Sequence, residues 1–310
     1  MRYDLSKLKS VSSLKKNKML VVVNDPTQDD IKLLEEKFKI HPMTLEDIFS
    51  PLTRIKYEEF ENNTLIVFKC INKIKKIAIS FYTLFFVDGD NYMIVVYYKN
   101  NDTIENLINN YNKLESLLKR GEDYVLYYIL DKEVDKYLDI KNNLSEHLRY
   151  IEEEFLKNPS REVFNKLFLK EKITIEIRQR IDSITDVCAR LMKPTENFIQ
   201  NELIPYFRDV YDHAFKTNEA LKTYLERING IRNTYLSLTS NKMNQTIRIL
   251  TIIMALIMPM TVLTGFYGMN IKLPIQDNPN AYLILIALII VILLLMTYLF
   301  KNLGWLGNKE

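Results

Sequence analysis

One face of an apolar segment in the last quarter of the sequence carries side chains that suit the wall of a water-filled path. Its members recur every three or four residues, which is the spacing of one face of a helix. They offer an amide, hydroxyls, thioethers and backbone exposed at glycine: Asn244, Ile247, Thr251, Met254, Met258, Thr261, Gly265 and Gly268. Polar residues at membrane depth usually face a bundle interior or a water cavity, but small and hydroxyl residues also simply allow helices to pack closely. The residues alone leave both interpretations open.

The segment that carries this stripe is long enough to cross a membrane. Ile249–Tyr267 has 19 residues without a charge, and Ala281–Phe300 has 20. Each suits a hydrocarbon core of about 30 Å. Because only residues 268–280 connect the two, they predict a transmembrane hairpin; a buried hairpin of a soluble protein is the alternative. A single helix cannot enclose a pore, whereas several copies around an axis can.

Basic residues predict the orientation of the hairpin, because they favour the cytoplasmic side of a span. Lys242 and Arg248 flank the start of the first span, and Lys301 closes the second. Both termini are therefore expected in the cytoplasm, with the connecting loop outside. The first residues show no apolar signal-peptide core, which agrees with this orientation.

The N-terminal part alternates strand-like and helix-like stretches and predicts a mixed α/β domain. Strands are expected where Val, Ile, Phe and Tyr are concentrated: Met19–Val23, Thr64–Ile71, Ile77–Val87 and Tyr92–Tyr98. Short helices are expected at Thr27–Phe38 and His41–Phe49, and a longer one at Asp102–Lys119. Thr27 and Asp102 are the predicted N-caps of their helices.

Long helices follow. Tyr124–Phe155 and Val163–Leu191 predict a helical hairpin whose outer face is acidic, including Glu133. A further helix is expected from Pro205 to about Gly265. It contains a heptad seam, the pattern of helices that pack along their length: Leu221, Tyr224, Ile228, Ile231, Tyr235 and Leu238.

Charge and cysteine usage narrow the class of protein. Only four charged side chains lie within residues 244–301. The net charge of all 310 residues is +3. A charged body followed by an apolar segment is typical of a membrane protein with a large water-facing domain. The sequence has no basic cluster interleaved with aromatics, no phosphate-binding G-x-x-x-x-G-K-[ST] loop and no H-E-x-x-H zinc motif, so a nucleic-acid partner and an enzyme are disfavoured. Cys70 and Cys188 are expected to be reduced core residues.

These residues carry a resemblance to the CorA-type magnesium transporters. Tyr267-Gly268-Met269-Asn270 ends the penultimate apolar segment and is followed by one last span and a short tail. Further segments match in order and spacing: His41 to Ile48, Phe60-Glu61-Asn62, Tyr206 to His213, Tyr235-Leu236-Ser237, Ser240 to Asn244, Leu250-Thr251 and Pro259-Met260-Thr261. The resemblance covers nearly the whole chain.

The resemblance implies a funnel-shaped homopentamer with an α/β cytoplasmic domain, a long stalk helix and a two-helix transmembrane hairpin. The expected division is 1–122 for the α/β domain, 123–200 for the helical hairpin, 201–248 for the stalk, 249–267 for the pore-lining span, 268–280 for the external loop, 281–300 for the second span and 301–310 for the cytoplasmic tail. It also implies self-association and a plasma-membrane location. Mg²⁺ is expected as both the substrate and the regulatory ligand.

The family's functional residues map onto this sequence. Gly268, Met269 and Asn270 would form a selectivity filter that accepts hydrogen bonds from the waters of a hydrated Mg²⁺ ion, although Gly and Asn are also common helix C-caps. Asn244 and Thr261 would be polar rings, and Ile247, Leu250 and Met258 apolar constrictions able to gate by dewetting.

Regulation and the outer mouth have their own candidates. Asp47 and Asp209 match the family's acidic residues that bind Mg²⁺ between cytoplasmic domains; each also suits a local role as a helix-end carboxylate. Tyr267 precedes the filter, Arg248 flanks the first span, and Asp277 is the only acid of an outer loop that is less acidic than in many relatives.

Two other functions remain open on sequence. The zinc-transporting branch of the superfamily is one, although its usual tripeptide has Ile before Asn, where this sequence has Met269. A membrane-anchored metal sensor or scaffold that conducts nothing is the other. The polar stripe argues against it, because a mere anchor would resemble the plain second span.

Overall fold

The computed structural model describes residues 11–12, 19–50, 52–74, 79–98, 101–193, 199–275 and 278–305. The strands are β1 (Val11–Ser12), β2 (Met19–Asn24), β3 (Lys56–Glu59), β4 (Thr64–Ile74), β5 (Ile79–Asp88) and β6 (Tyr92–Tyr97). The helices are α1 (Gln28–Phe38), α2 (Pro42–Phe49), α3 (Asp102–Asn109), α4 (Tyr111–Leu118), α5 (Glu122–Lys157), α6 (Arg161–Leu191), α7 (Ile204–Tyr267) and α8 (Ala281–Asn302). The chain divides into two compact units, Met1–Ile231 and Arg232–Glu310.

The first unit is built on a six-stranded sheet in the order β1-β2-β6-β5-β4-β3. Only β2 and β6 pair in parallel, and the other neighbours are antiparallel. Alternate residues of β4 and β5 form a core with α1 and α2, in which Leu65, Val67, Phe85 and Val87 are fully buried. The mixed α/β prediction is confirmed, and the predicted strands are all present, although the start of the segment predicted from Ile77 lies outside the described residues.

Helices α5 and α6 pack beside the sheet against β3 and β4. Tyr137 of α5 is fully buried and its hydroxyl donates to the backbone carbonyl of Lys69 on β4, a 2.5 Å hydrogen bond. Cys70, the next residue of β4, is also fully buried, as is Cys188 of α6, and both are free thiols. The helical hairpin is thus joined to the sheet by a polar contact as well as by apolar packing.

Helix capping confirms one prediction and corrects another. Thr27 caps α1 in a capping box, in which its hydroxyl oxygen accepts from Asp30 N and the Asp30 carboxylate accepts from Thr27 N. The single helix predicted over Asp102–Lys119 is wrong, because Asn110 ends α3 and its side chain caps α4. The N-cap of α3 is Asn101 and not Asp102, since the side-chain oxygen Oδ1 of Asn101 accepts from the backbone N–H groups of Thr103 and Ile104.

Glu133 does not lie on the exposed acidic face where the sequence pattern placed it. Its side chain is 2% exposed and pairs with Lys136 one turn further along α5, at 2.9 Å. Burial of an unpaired carboxylate is costly, so the lysine that reaches it from the helix surface is required for this placement. Asp139, Glu146 and Glu153 are exposed as expected.

A small latch ties the start of α5 to Gln200, which precedes the short 3₁₀ helix Asn201–Leu203 in front of α7. The Asp123 carboxylate is 2% exposed and accepts hydrogen bonds from the Gln200 backbone N–H at 3.1 Å and from Gln200 Nε2 at 3.4 Å. Gly121 lies against it with φ +143°, and a Cβ there would stand 2.4 Å from Asp123 Oδ1. The latch therefore requires glycine at this position.

Helix α7 packs on the helical hairpin over its first half. Leu221, Tyr224 and Ile228 of the heptad seam are buried within this chain. Arg227 forms an ion pair with Glu152 of α5, through two nitrogens and both carboxylate oxygens. The later seam positions are more open, with Leu238 37% exposed. The first part of the seam thus packs within the chain, and its later part is exposed on the helix surface.

Candidate ion-conduction site

The predicted stripe lies on one continuous helix. Residues 244–267 all belong to α7, and Gly268 follows its last residue, Tyr267. Most stripe residues are exposed in the single chain: Asn244, Ile247, Met254, Met258, Thr261, Gly265 and Gly268; Thr251 is partly buried. Leu250, the further predicted constriction residue, is exposed as well. Among the described residues, α7 and α8 are the two helices long and apolar enough to cross a membrane.

The stripe threonines have a fixed hydrogen-bond polarity. Thr251 Oγ1 donates to the Ile247 carbonyl at 2.8 Å, and Thr261 Oγ1 donates to the Ile257 carbonyl at 3.1 Å. A hydroxyl has one proton to donate and two lone pairs that accept. Since the proton is used by the helix backbone, the oxygen presents acceptor sites to whatever lies beside the helix.

Pro259 adds a backbone acceptor to the same segment. It lies inside α7 and has no N–H, so the Ala255 carbonyl lacks its usual helical donor. Proline is tolerated at membrane depth where neighbouring helices, hydroxyls or water satisfy the freed carbonyl. The first apolar helix therefore has polar features that α8 lacks over most of its length.

The Gly268-Met269-Asn270 segment ends α7 in a tight turn. Gly268 N–H donates to the Thr264 carbonyl at 2.9 Å, and Met269 N–H donates to the Phe266 carbonyl at 3.2 Å. A Cβ on Gly268 would meet the Thr264 oxygen at 3.1 Å, so glycine gives this turn its close fit. The side chain of Asn270 is exposed beyond the turn.

The remaining candidates are Tyr267 and Asp277 near the outer loop and Arg248 at the start of the first span. The Tyr267 hydroxyl lies 3.5 Å from the Pro274 carbonyl, a long hydrogen bond across the loop. Arg248 is exposed on α7 at the start of the apolar stretch. Asp277 lies outside the described residues.

Asp47 is engaged locally on α2. Its carboxylate lies 2.6 Å from Lys56 Nζ, and its side chain is 19% exposed. Burial of Lys56 works against its charged form, but hydrogen bonds to Asp47 and Glu58 outweigh it and raise the pKa of the lysine. Thr53 Oγ1 also donates to the Asp47 backbone carbonyl at 3.1 Å. A cation bound at Asp47 would have to compete with Lys56.

Asp209 lies on α7 beside a cluster formed by Asp131, Asp135 and His213. Its carboxylate is 61% exposed and 3.8 Å from His213 Nε2. Asp131 and Asp135 of α5 place their carboxylates with that imidazole so that one ligand atom of each lies within 4.8 Å of the others. Lys132 already pairs with both aspartates, at 3.4 and 2.8 Å.

The group around Asp209 was missed by sequence reasoning, except for Asp209 itself. The signal was present as two pairs spaced by one helical turn, Asp131 with Asp135 and Asp209 with His213. Nothing in the sequence showed that α5 and α7 would bring the pairs together. Burial and then the charges of Asp131 and Asp209 raise the pKa of the adjacent Tyr127, which marks the negative potential there.

The described contacts do not join Asp47 to Asp209 within one chain. Asp47 contacts Lys56 and Thr53, whereas Asp209 lies beside His213. The two carboxylates thus have separate local partners in this structure, and their pairing around a cation stays a prediction.

A sheet domain followed by α7 and α8, both long and apolar enough to cross a membrane, is the pattern expected of an integral membrane protein, and comparison with known proteins gives the family. Residues 20–302 match the model of the CorA family, described as "CorA-like Mg2+ transporter protein". The chain belongs to this family. The fold, the apolar helices and the family resemblance argued from Gly268-Met269-Asn270 are thereby confirmed.

Individual relatives agree over most of their length. The chain is 30% identical to the cobalt/magnesium transport protein CorA of Thermotoga maritima, over 90% of this chain and 80% of that protein. It is 28% identical to the CorA protein of Methanocaldococcus jannaschii, over 91% and 89%. The complete structure of the M. jannaschii CorA magnesium transporter superposes with a TM-score of 0.74 at 26% identity, covering 93% of this chain and 92% of that one.

Proposed function

We propose that this chain is one subunit of a homopentameric channel that carries hydrated Mg²⁺, and also Co²⁺ and Ni²⁺, into the cytoplasm down the electrochemical gradient. The observation that carries the proposal is the Gly268-Met269-Asn270 turn at the end of the polar face of α7, in a chain of the CorA family. Two relatives are cobalt/magnesium transport proteins, which supports the choice of Mg²⁺ and Co²⁺.

The chemistry of the stripe suits an ion that keeps its water. Mg²⁺ loses its hydration shell reluctantly and would need a cage of charged oxygens to do so. The stripe contains no carboxylate, and the oxygens of Thr251 and Thr261 act as acceptors because their protons are held by the helix. Waters bound to a cation point their protons outward, so acceptors are the groups that they require. The Asn270 carbonyl and the Gly268 and Met269 backbone oxygens would act in the same way.

The exposure of α7 supports self-association. Beyond the first unit the helix presents large apolar side chains that the described part of its own chain leaves uncovered, with Leu236 56%, Met243 58% and Ile247 53% exposed. Exposed apolar surface of this kind marks an interaction site. A ring of α7 helices would cover it and enclose the polar stripe, with α8 outside. The outer helices would then contact lipid, and both termini would lie in the cytoplasm.

Gating is assigned to two regions. Ile247, Leu250 and Met258 would form apolar constrictions that close by dewetting. Asp47 of one subunit and Asp209 of its neighbour would hold a cytoplasmic Mg²⁺ ion, with Asp131, Asp135 and His213 adding negative and ligating groups beside Asp209. Opposed carboxylates repel one another without a cation, so loss of the ion would loosen the interface between subunits.

The test is uptake of Mg²⁺ by liposomes that contain the purified chain and an internal Mg²⁺ indicator dye. The native protein should give uptake driven by a negative internal potential. Asn270→Ala should reduce it about tenfold, because loss of a hydrogen bond worth about 1.4 kcal/mol in the barrier changes a rate by that factor. Asn112→Ala, at an exposed position on α4, is the matched control and should leave uptake unchanged.

Each alternative outcome has a distinct meaning. Equal uptake by the native chain and Asn270→Ala refutes the filter. Zn²⁺ flux driven by a proton gradient supports the zinc-transporting alternative. Absence of flux from a folded, pentameric native protein supports the non-conducting sensor or scaffold.

A further inference from the structure

The chain folds back on itself directly after α8. Gly304 has φ +73°, and its N–H donates to the Lys301 carbonyl at 3.1 Å. Trp305 N–H donates to the Phe300 carbonyl at 2.8 Å. These two bonds form the Schellman motif, which satisfies the last carbonyls of a helix and reverses the chain over its final turn.

The reversal places an aromatic pair at the end of the helix. The rings of Trp305 and Phe300 stack with centroids 5.8 Å apart and planes inclined by 21°. Trp305 remains 43% exposed in the single chain. Because the backbone and the stacking both hold it, the height of the indole along α8 is set by the structure and not by a free tail. We call Phe300, Gly304 and Trp305 the aromatic hook.

The chemistry of the aromatic hook matches the boundary between the hydrocarbon core and the lipid headgroups. Tryptophan has a broad apolar ring and a single N–H donor, and it is enriched where hydrocarbon meets lipid headgroups. The uncharged stretch of α8 spans roughly 30 Å at 1.5 Å per residue, which equals the hydrocarbon core. Lys301 is the first charge after that stretch and lies in the same last turn as the hook. A fully aqueous tail would leave the exposed ring and the neighbouring Leu303, 67% exposed, in water.

The geometry points to the aromatic hook as a lipid-binding element. The Trp305 ring lies among the glycerol and ester groups of the leaflet at the C-terminal end of α8, and its N–H donates to a phospholipid ester or phosphate oxygen. Lys301 contacts the phosphate. This inference rests on the proposed membrane function, and it takes the start of the tail, expected to be aqueous, back into the membrane surface. The hook would fix how far α8 is inserted.

The experiment uses the single tryptophan of the chain as its own reporter. The full-length protein is placed in phosphatidylcholine liposomes in which some lipids are brominated either near the carboxyl end or near the methyl end of the acyl chain. Shallow bromines should quench the fluorescence at least about twofold more than deep ones, as expected for an interfacial indole. Aqueous iodide should quench weakly. Stronger quenching by deep bromines, or quenching mainly by iodide, overturns the inference.

Two variants separate the hook from simple proximity to the membrane. Gly304→Ala puts a side chain at a positive φ and should release Trp305, so iodide quenching should rise and shallow-bromine quenching should fall. Asn302→Ala, in the same last turn, is the matched control and should leave both unchanged. If Gly304→Ala also leaves both unchanged, the hook does not set the depth of the indole.

Measurement of Mg²⁺ uptake in the same liposomes keeps this inference separate from the proposed function. Shallow quenching without uptake would support the hook and overturn the channel. Uptake together with iodide-dominated quenching would support the channel and overturn the hook. Trp305→Phe supplies the fluorescence background for every sample.

Discussion

Removal of the latch between Asp123 and Gln200 should lower the free energy of unfolding, and substitutions of its two residues should do so by different amounts. Asp123 is buried, and its carboxylate accepts a 3.1 Å bond from the Gln200 backbone N–H, whereas the bond from Gln200 Nε2 is long at 3.4 Å. The same carboxylate also accepts from the Tyr124 backbone N–H at 3.1 Å. A hydrogen bond to a charged group is worth about 1.5–3 kcal/mol. Asp123→Ala removes the two bonds from Gln200 and the one from Tyr124, and it leaves the partly buried Gln200 N–H without its acceptor, so we expect a loss of about 3 kcal/mol. Gln200→Ala keeps the backbone bond and should cost less than about 1 kcal/mol.

The two variants are compared by thermal unfolding of the full-length protein in detergent, followed by circular dichroism. For a unit of this size, 1 kcal/mol moves Tm by about 2–4 °C, so Asp123→Ala should lower Tm by roughly 6–12 °C. Hydrogen exchange at the Gln200 amide should accelerate in Asp123→Ala and stay slow in Gln200→Ala. Equal losses in the two variants, or unchanged exchange in Asp123→Ala, would refute the assignment of the latch to the backbone bond.

Two further predictions concern charge in the first unit. Burial, and then the charge of Arg180, lowers the pKa of Lys69 from its ordinary 10.5 to about 8, so between these values Lys69 binds more protons in the unfolded chain and its contribution to the free energy of unfolding rises with pH. The two buried thiols, whose pKa is raised, act in the opposite direction over the same range. Lys69→Met should remove the rising contribution, so that the free energy of unfolding from urea titrations changes less favourably with pH than in the native chain; identical slopes would contradict it. Asp209→Asn should increase several-fold the internal Mg²⁺ concentration that halves liposome uptake, because the site loses a carboxylate, while Asp212→Asn, at an exposed site on the same helix, serves as control; equal inhibition in both would remove Asp209 from regulation.

Local sequence signals predicted the elements whose cause is local. Thr27 with Asp30 defines a helix start by itself. The break at Asn110 was missed, since the apolar spacing continues through it and only the Asn side chain reveals a new cap. Strand β3 was also missed, because Lys56–Glu59 is short and mostly charged, as an edge strand can be.

Local sequence signals did not predict the features that depend on tertiary contacts. Glu133 looks like a surface residue on a helical wheel, and only the packing of α5 on the sheet shows that it is buried. The group of Asp131, Asp135 and His213 exists because α5 and α7 lie side by side. The stripe residues from Asn244 to Gly265 do lie on one helix, α7, and their relative positions follow from helical geometry alone.

The burial of both cysteines makes the native chain suitable for thiol labelling. Cys70 and Cys188 have no exposed surface, and burial raises the pKa of each thiol, that of Cys188 to about 12. The thiolate is the form that reacts with maleimides and methanethiosulfonates, so neither residue should be modified at neutral pH. A cysteine introduced at any stripe position would then be the only reactive thiol in the folded protein. Water access along α7 can therefore be mapped residue by residue without first replacing the native cysteines.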